Sequence, residues 1–120
     1  MGFLDAIRRR GKPRTPQDTD ALALRHLTRR GADLAQARHV LHFLYFADEV
    51  NARAAAAVAD QASWRVTVTA PGERIVEWTV RVEGDRVLNP ATVAAFRAWF
   101  ERLAEDHHGE YDGWEAAAKP

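Results

Sequence analysis

SWRVTVTAPGERIVEWTVRV, residues 63–82, has the clearest pattern in the chain. Trp64, Val66 and Val68 alternate with Arg65, Thr67 and Thr69, and Ala70-Pro71-Gly72-Glu73 supplies a turn. Val76, Trp78, Val80 and Val82 then alternate with Glu77, Thr79 and Arg81. A period of two sends successive side chains to opposite faces, so both runs are strands with one apolar face, joined as an antiparallel hairpin. A two-stranded hairpin is at best marginally stable in water, so other elements must cover that face.

Upstream, RHVLHFLYF (residues 38–46) puts Leu41, Phe43 and Tyr45 on one face of a strand and Val40, Leu44 and Phe46 on the other. Apolar residues on both faces predict a central strand covered on both sides. Asp48 is placed to cap a helix over residues 49–62, with a small face of Ala54, Ala57, Val58 and Gln61 against the sheet. Downstream, Asn89-Pro90 opens another helix as cap and first residue; Val93, Phe96, Phe100 and Leu103 follow at helical spacing, with Gly109 past its end. GEYDGWEAA, residues 109–117, is left as a short final strand. Before all of these, Thr15-Pro16-Gln17-Asp18 has the form of a capped helix start; that helix turns Leu24 and Leu27 inward and stops at Gly31.

The order predicts an α+β, ferredoxin-like sandwich (βαββαβ) with an extra N-terminal helix. The extra helix is expected on the second face of the central strand. Val76, Trp78, Val80, Phe96, Phe100, Leu41 and Phe43 are the expected core.

At 120 residues the chain has the length of one domain. Residues 1–14 read as an appendage: a short helix with Phe3, Leu4 and Ile7 on one side, broken by GKPR. Residues 15–120 form the domain. The net charge is zero, yet Arg8, Arg9, Arg10, Lys12 and Arg14 outweigh Asp5 in the arm, leaving the remainder acidic. Between Glu101 and Glu115, six carboxylates face only Arg102. That balance argues against a nucleic-acid-binding body, whereas the arm alone could contact RNA or another anionic surface. The absence of cysteine excludes disulfides, thiolate metal sites and thiol nucleophiles, and fits a reducing compartment. No apolar run reaches membrane-span length, and MGFLDAIRRR lacks the order of a secretory signal, so a cytoplasmic protein is expected.

Candidate sites are few. His107, His108, Glu110 and Asp112 are polar enough to ligate a metal, but adjacent histidines on regular backbone point apart, and they read as a polar helix end. His39 and His42 fall on opposite strand faces and cannot share an ion; one of them is expected to be buried and hydrogen-bonded. Ser63 is the only serine and abuts Trp64, and no glycine-rich phosphate loop is present. The paired acids Asp48-Glu49 and Glu105-Asp106 sit at helix ends, where solvated carboxylates are ordinary. No catalytic residue, cofactor site or metal site is therefore expected. HFLYF invites comparison with RNA-binding sheets, but the basic-glycine-aromatic run expected on the third strand is missing from IVEWTVRV, and core packing explains it.

The ending is more informative. Tyr111-Asp112-Gly113-Trp114 within GEYDGWEAA, behind this order of elements, resembles the RraB family, regulators of ribonuclease E activity. The similarity extends over residues 16–117, taking in the early helix ending at Gly31-Ala32-Asp33, HFLYF followed by Asp48, and the last helix. The resemblance implies a non-enzymatic regulator that binds and inhibits a ribonuclease E-type endoribonuclease, with Glu110, Tyr111, Asp112, Trp114 and Glu115 as partner-binding residues. The best-known members carry a long acidic C-terminal extension, whereas this chain reads Lys119-Pro120 at that point and has its basic arm at the other end. From the residues alone, Asp112-Gly113 suits a turn or bulge, with Tyr111 and Trp114 as anchors, contact residues or both. The competing reading is a ferredoxin-like module for a small ligand or RNA, which an open apolar pocket or exposed HFLYF aromatics would mark.

Overall fold

The computed structural model describes residues 15–117; the basic arm, with Arg8, Arg9, Arg10, Lys12 and Arg14, lies outside the described residues. The elements run α1 (Pro16–Arg29), β1 (Ala37–Phe46), α2 (Glu49–Gln61), β2 (Arg65–Thr69), β3 (Trp78–Val87), α3 (Pro90–Asp106) and β4 (Glu110–Ala116). Among the described residues the fold is α+β: three helices and one four-stranded antiparallel sheet in the order β2-β3-β1-β4.

Each helix begins where local chemistry dictates. Thr15 and Asp18 form a capping box ahead of Pro16, and the Asn89 side chain accepts from the Thr92 N–H at 2.9 Å while Pro90 takes the first position. The Asp48 carboxylate accepts from the Asn51 N–H at 2.8 Å. Gly31 ends α1 with φ +86°, the left-handed stop that its sequence position suggested. At the exit of α3 the left-handed residue is His108, with φ +59°, and Gly109 serves a different need. A Cβ there would lie 2.6 Å from the Tyr45 carbonyl oxygen and inside contact distance of the Phe46 ring, so only glycine lets the chain pass β1 this closely.

Three expectations need correction. First, α1 does not cover the second face of the sheet. It lies beside α3, and its Asp20 meets Arg97 of α3 and Trp114 of β4. All three helices thus share one side: α2 over β2 and β3, α3 over β4, and α1 against α3. β1 is central by position but covered on one face. Val40, His42, Leu44 and Phe46 point into the core, while Leu41, Phe43 and Tyr45 are half-buried on a face that no described helix covers.

Second, α2 presents Ala52, Ala55, Ala56 and Ala59 to the core, whereas Ala54, Ala57, Val58 and Gln61 are exposed. A run of alanines carries no hydrophobic phase, so the contacts of the sheet set the helix rotation. Third, β3 starts at Trp78, leaving Val76 in the connection from β2 and 66% exposed. β3 instead runs on to Val87, because β1 supplies a partner along its whole length. Of the expected core, Val80 and Phe100 are fully buried, Trp78 and Phe96 pack at its margin, and Leu41 and Phe43 lie on the uncovered face.

Phe100 stacks between His42 and Tyr111, with ring centroids at 4.0 and 5.5 Å. Truncating a buried phenylalanine costs about 3–5 kcal/mol. Phe100→Ala is expected to lose stability in that range in urea unfolding, whereas Val76→Ala should shift the midpoint by no more than an ordinary surface substitution. Equal effects would contradict the placement of both residues.

Candidate functional site

Tyr111 and Trp114 are three residues apart and would point to opposite faces of a regular strand. In β4 they do not. The pairing of β1 with β4 slips between Phe43↔Gly113 and Leu44↔Tyr111, making Asp112 the extra residue of a bulge. Gly113 has φ +107°, which a side chain rarely tolerates. The bulge leaves Tyr111 opposite Leu44 and Trp114 opposite His42, so both belong to the helix-covered face.

There they enter a buried polar chain. The Trp114 indole Nε1–H donates to Asp20 Oδ1 at 2.8 Å, and Arg97 donates to the same carboxylate through Nη2 at 2.9 Å and through Nε. Asp20 and Arg97 are each only 7% exposed. Burial alone would lower the Arg97 pKa, but hydrogen bonding and charge from Asp20 outweigh it and hold the guanidinium above its ordinary value. The Arg97 guanidinium also sits 5.1 Å from the Tyr111 ring centre. The Tyr111 hydroxyl in turn is 2.8 Å from His42 Nδ1. Burial raises the Tyr111 phenol, and burial followed by the charges of Arg97 and Arg86 pushes His42 down to about 3. The hydroxyl and imidazole are therefore neutral at ordinary pH. Each of these side chains has at least one polar partner, while His42 Nε2 is buried without a hydrogen bond among the described residues.

Sequence reasoning missed Asp20 and Arg97. The signal was available: Asp20 stands four and seven residues before Leu24 and Leu27, and Arg97 four residues after Val93, both in the apolar phase of their helices. A charge in that phase on each of two helices suggests a buried pair.

The uncovered face carries the remaining candidates. On its β3 half the charges compensate: Arg65 and Arg81 each lie 3.5 Å from Glu83, which also approaches His39 Nε2 at 3.0 Å. On its β4 half, Glu110 pairs with Tyr45 and Glu115 with Leu41, and neither acid has an ion pair among the described residues. Tyr45 is hydrogen-bonded to Asp112 and pushed up to about 12, first by burial and then by the Asp112 charge. Of the five residues expected at a partner surface, Glu110, Asp112 and Glu115 thus share this face. Tyr111 is 4% exposed behind it, and Trp114 is half-buried with its indole nitrogen engaged by Asp20.

His107 and His108 are not gathered with other ligands. His107 Nδ1 lies 3.0 Å from the Leu103 carbonyl oxygen, and no group of three potential metal ligands occurs among the described residues. A concavity of about 240 Å³ runs between α1 and α3, lined by Ala21, Leu24, Val93, Ala94 and Ala98 beside the Asp20–Arg97 pair.

Two outcomes test the polar chain. Removing one partner of a buried ion pair typically costs about 3–5 kcal/mol, while replacing both with apolar residues is often neutral. Asp20→Ala should therefore destabilise strongly, and Asp20→Leu combined with Arg97→Met should recover most of the loss in thermal unfolding. His42 sets an acid limit. Above pH 6.5 it is neutral in both states; below that the unfolded chain takes up a proton that the folded chain refuses down to about 3. Stability is then expected to fall by up to about 1.4 kcal/mol per pH unit across that window. A shallower slope in His42→Phe would assign that part of the pH dependence to this ring.

The geometry can be set beside known proteins. Residues 17–116 match the model of the family described as Regulator of ribonuclease activity B, RraB. The match takes in α1 from its second residue through the end of β4. Comparison with curated proteins finds no match. Because the matched span covers most of the chain, including the bulged Tyr111-Asp112-Gly113-Trp114 strand, the protein belongs to the RraB family, whose description is that of a regulator of ribonuclease activity.

Proposed function

We propose that this protein binds a ribonuclease E-type endoribonuclease in the cytoplasm and inhibits it, modulating RNA turnover without chemistry of its own. The observation that carries this reading is the uncovered sheet face, where half-buried Leu41, Phe43 and Tyr45 lie beside the acidic strand bearing Glu110, Asp112 and Glu115. An apolar stripe with an acidic border suits contact with a basic protein surface, such as one that otherwise receives RNA. Family membership supplies the ribonuclease. The buried polar groups are engaged with one another, which supports a role without catalysis.

The strand order, with helices crossing between β1 and β2 and between β3 and β4, supports the ferredoxin-like description of the sandwich. A second reading, an RNA-binding module, draws on the half-exposed rings of Phe43 and Tyr45. The carboxylates bordering those rings oppose it, because they repel phosphate. The arm, through Arg8, Arg9, Arg10, Lys12 and Arg14, is proposed as a separate anionic contact whose binding weakens steeply with salt.

The test is affinity capture from native extract followed by titration of the purified protein into a cleavage assay of the recovered ribonuclease. Capture of a ribonuclease and a progressive loss of cleavage are expected. Undiminished cleavage at saturating protein would refute the reading. Deleting residues 1–14 should abolish salt-sensitive binding to polyanions and leave inhibition in place.

A further inference from the structure

Where β4 bulges, the uncovered face is hollowed. The hollow encloses about 300 Å³ between Phe43 and Tyr45 of β1 and Asp112, Gly113, Trp114 and Glu115 of β4. Gly113 contributes no side chain to its floor, and the rings and carboxylates form its walls.

Three properties narrow what can sit there. Aromatic rings present negative faces that attract cations, most effectively planar ones that also stack. The carboxylates favour a cation and repel phosphate or another acid. Charge supply also differs across the sheet. Glu83, on the β3 side, already serves Arg65, Arg81 and His39, whereas Glu115 at the hollow and Glu110 beside it face no cation among the described residues. The Tyr45 hydroxyl remains protonated and donates to Asp112, which keeps the Tyr45 ring beside the carboxylate. A guanidinium meets all of these conditions, because its flat face stacks on a ring while its edge forks to a carboxylate. An ammonium group supplies charge but neither planarity nor the fork.

We propose that this hollow receives an arginine side chain from a basic segment of the protein partner. The proposal rests on the reading that the protein acts by binding another protein, and it specifies the chemistry of the contact. The partner segment lies along the Leu41–Phe43–Tyr45 stripe, with its arginine between Phe43 and Glu115 and a neighbouring basic residue within reach of Glu110. Glu110 and Glu115 thereby gain counter-charges that the described residues do not provide.

The test uses the full chain, labelled for amide NMR, and a synthetic acetylated peptide GSRGSRGSRGS, with versions carrying lysine or citrulline at the arginine positions. Shifts should cluster at Phe43, Tyr45, Gly113 and Glu115, and affinity should fall from arginine to lysine to citrulline. Phe43→Ala and Glu115→Gln should each weaken arginine-peptide binding by about tenfold, as loss of a stacked ring or a charged fork implies. Both positions are at least partly exposed, so amide spectra otherwise unchanged will show that the fold survives. Equal binding of the citrulline peptide, or shifts confined to the α1–α3 groove, would overturn the proposal. So would a uridine oligonucleotide that binds through Phe43. The cleavage assay separates the two levels of inference. Inhibition undiminished in Phe43→Ala and Glu115→Gln would remove the hollow and leave the ribonuclease reading. Arginine binding mapped to the hollow, without ribonuclease capture, would do the reverse.

Discussion

The structure depends on one buried charge. Asp20 sits on the inner face of α1, where leucines would be expected, and is held by Arg97 of α3 and by the Trp114 indole of β4. A carboxylate out of water is costly unless paired and hydrogen-bonded, and here two elements distant in sequence provide the partners. A single side chain therefore specifies where α1 docks, how α3 is rotated and which way Trp114 points. The bulge at Asp112-Gly113 completes the arrangement, since without the extra residue Trp114 would face away from Asp20.

Docking α1 against α3 gathers the described helices on one side, and none of them covers the other side of β1. A half-buried row of leucine, phenylalanine and tyrosine in the middle of a sheet invites association, and natural proteins usually limit such surfaces. Here the row is bordered by acids on one flank and a compensated charge cluster around Glu83 on the other. Charged borders disfavour stacking between copies of the chain. The same bulge that turns Tyr111 and Trp114 toward the helices adjoins the hollow on the opposite face, so one local distortion shapes both sides of β4.

The polar residues divide by face. On the helix side, Asp20, Arg97, Tyr111 and His42 form a continuous chain in which each group has at least one partner and two of the four stay neutral. Such a chain restricts how the core can repack, because shifting one member leaves another unpaired in a dry environment. On the other side, Glu115 is exposed and Glu110 half-buried. Family membership sets this division of faces in a regulator of ribonuclease activity.

Much of this was legible from residue order. The hairpin, the capped starts at Thr15, Asp48 and Asn89, the left-handed stop at Gly31 and the bend at Asp112-Gly113 are local events, governed by spacing and side-chain chemistry within a few residues. The YDGW strand stood out through its resemblance to the RraB family, not through local pattern. Local rules could not say which face of β1 would be buried, because Leu41-Phe43-Tyr45 and Val40-Leu44-Phe46 are both apolar and alternation ranks neither. They could not phase α2, because alanines look alike from every side. The choice in each case was made by contacts between residues far apart in sequence: His42 and Tyr111 with Phe100, and Asp20 with Arg97 and Trp114. Short-range chemistry determined which elements form and where the helices begin. Only the tertiary structure decided which faces meet, because the energy of a buried charge or a stacked ring depends on partners that a linear pattern cannot bring together.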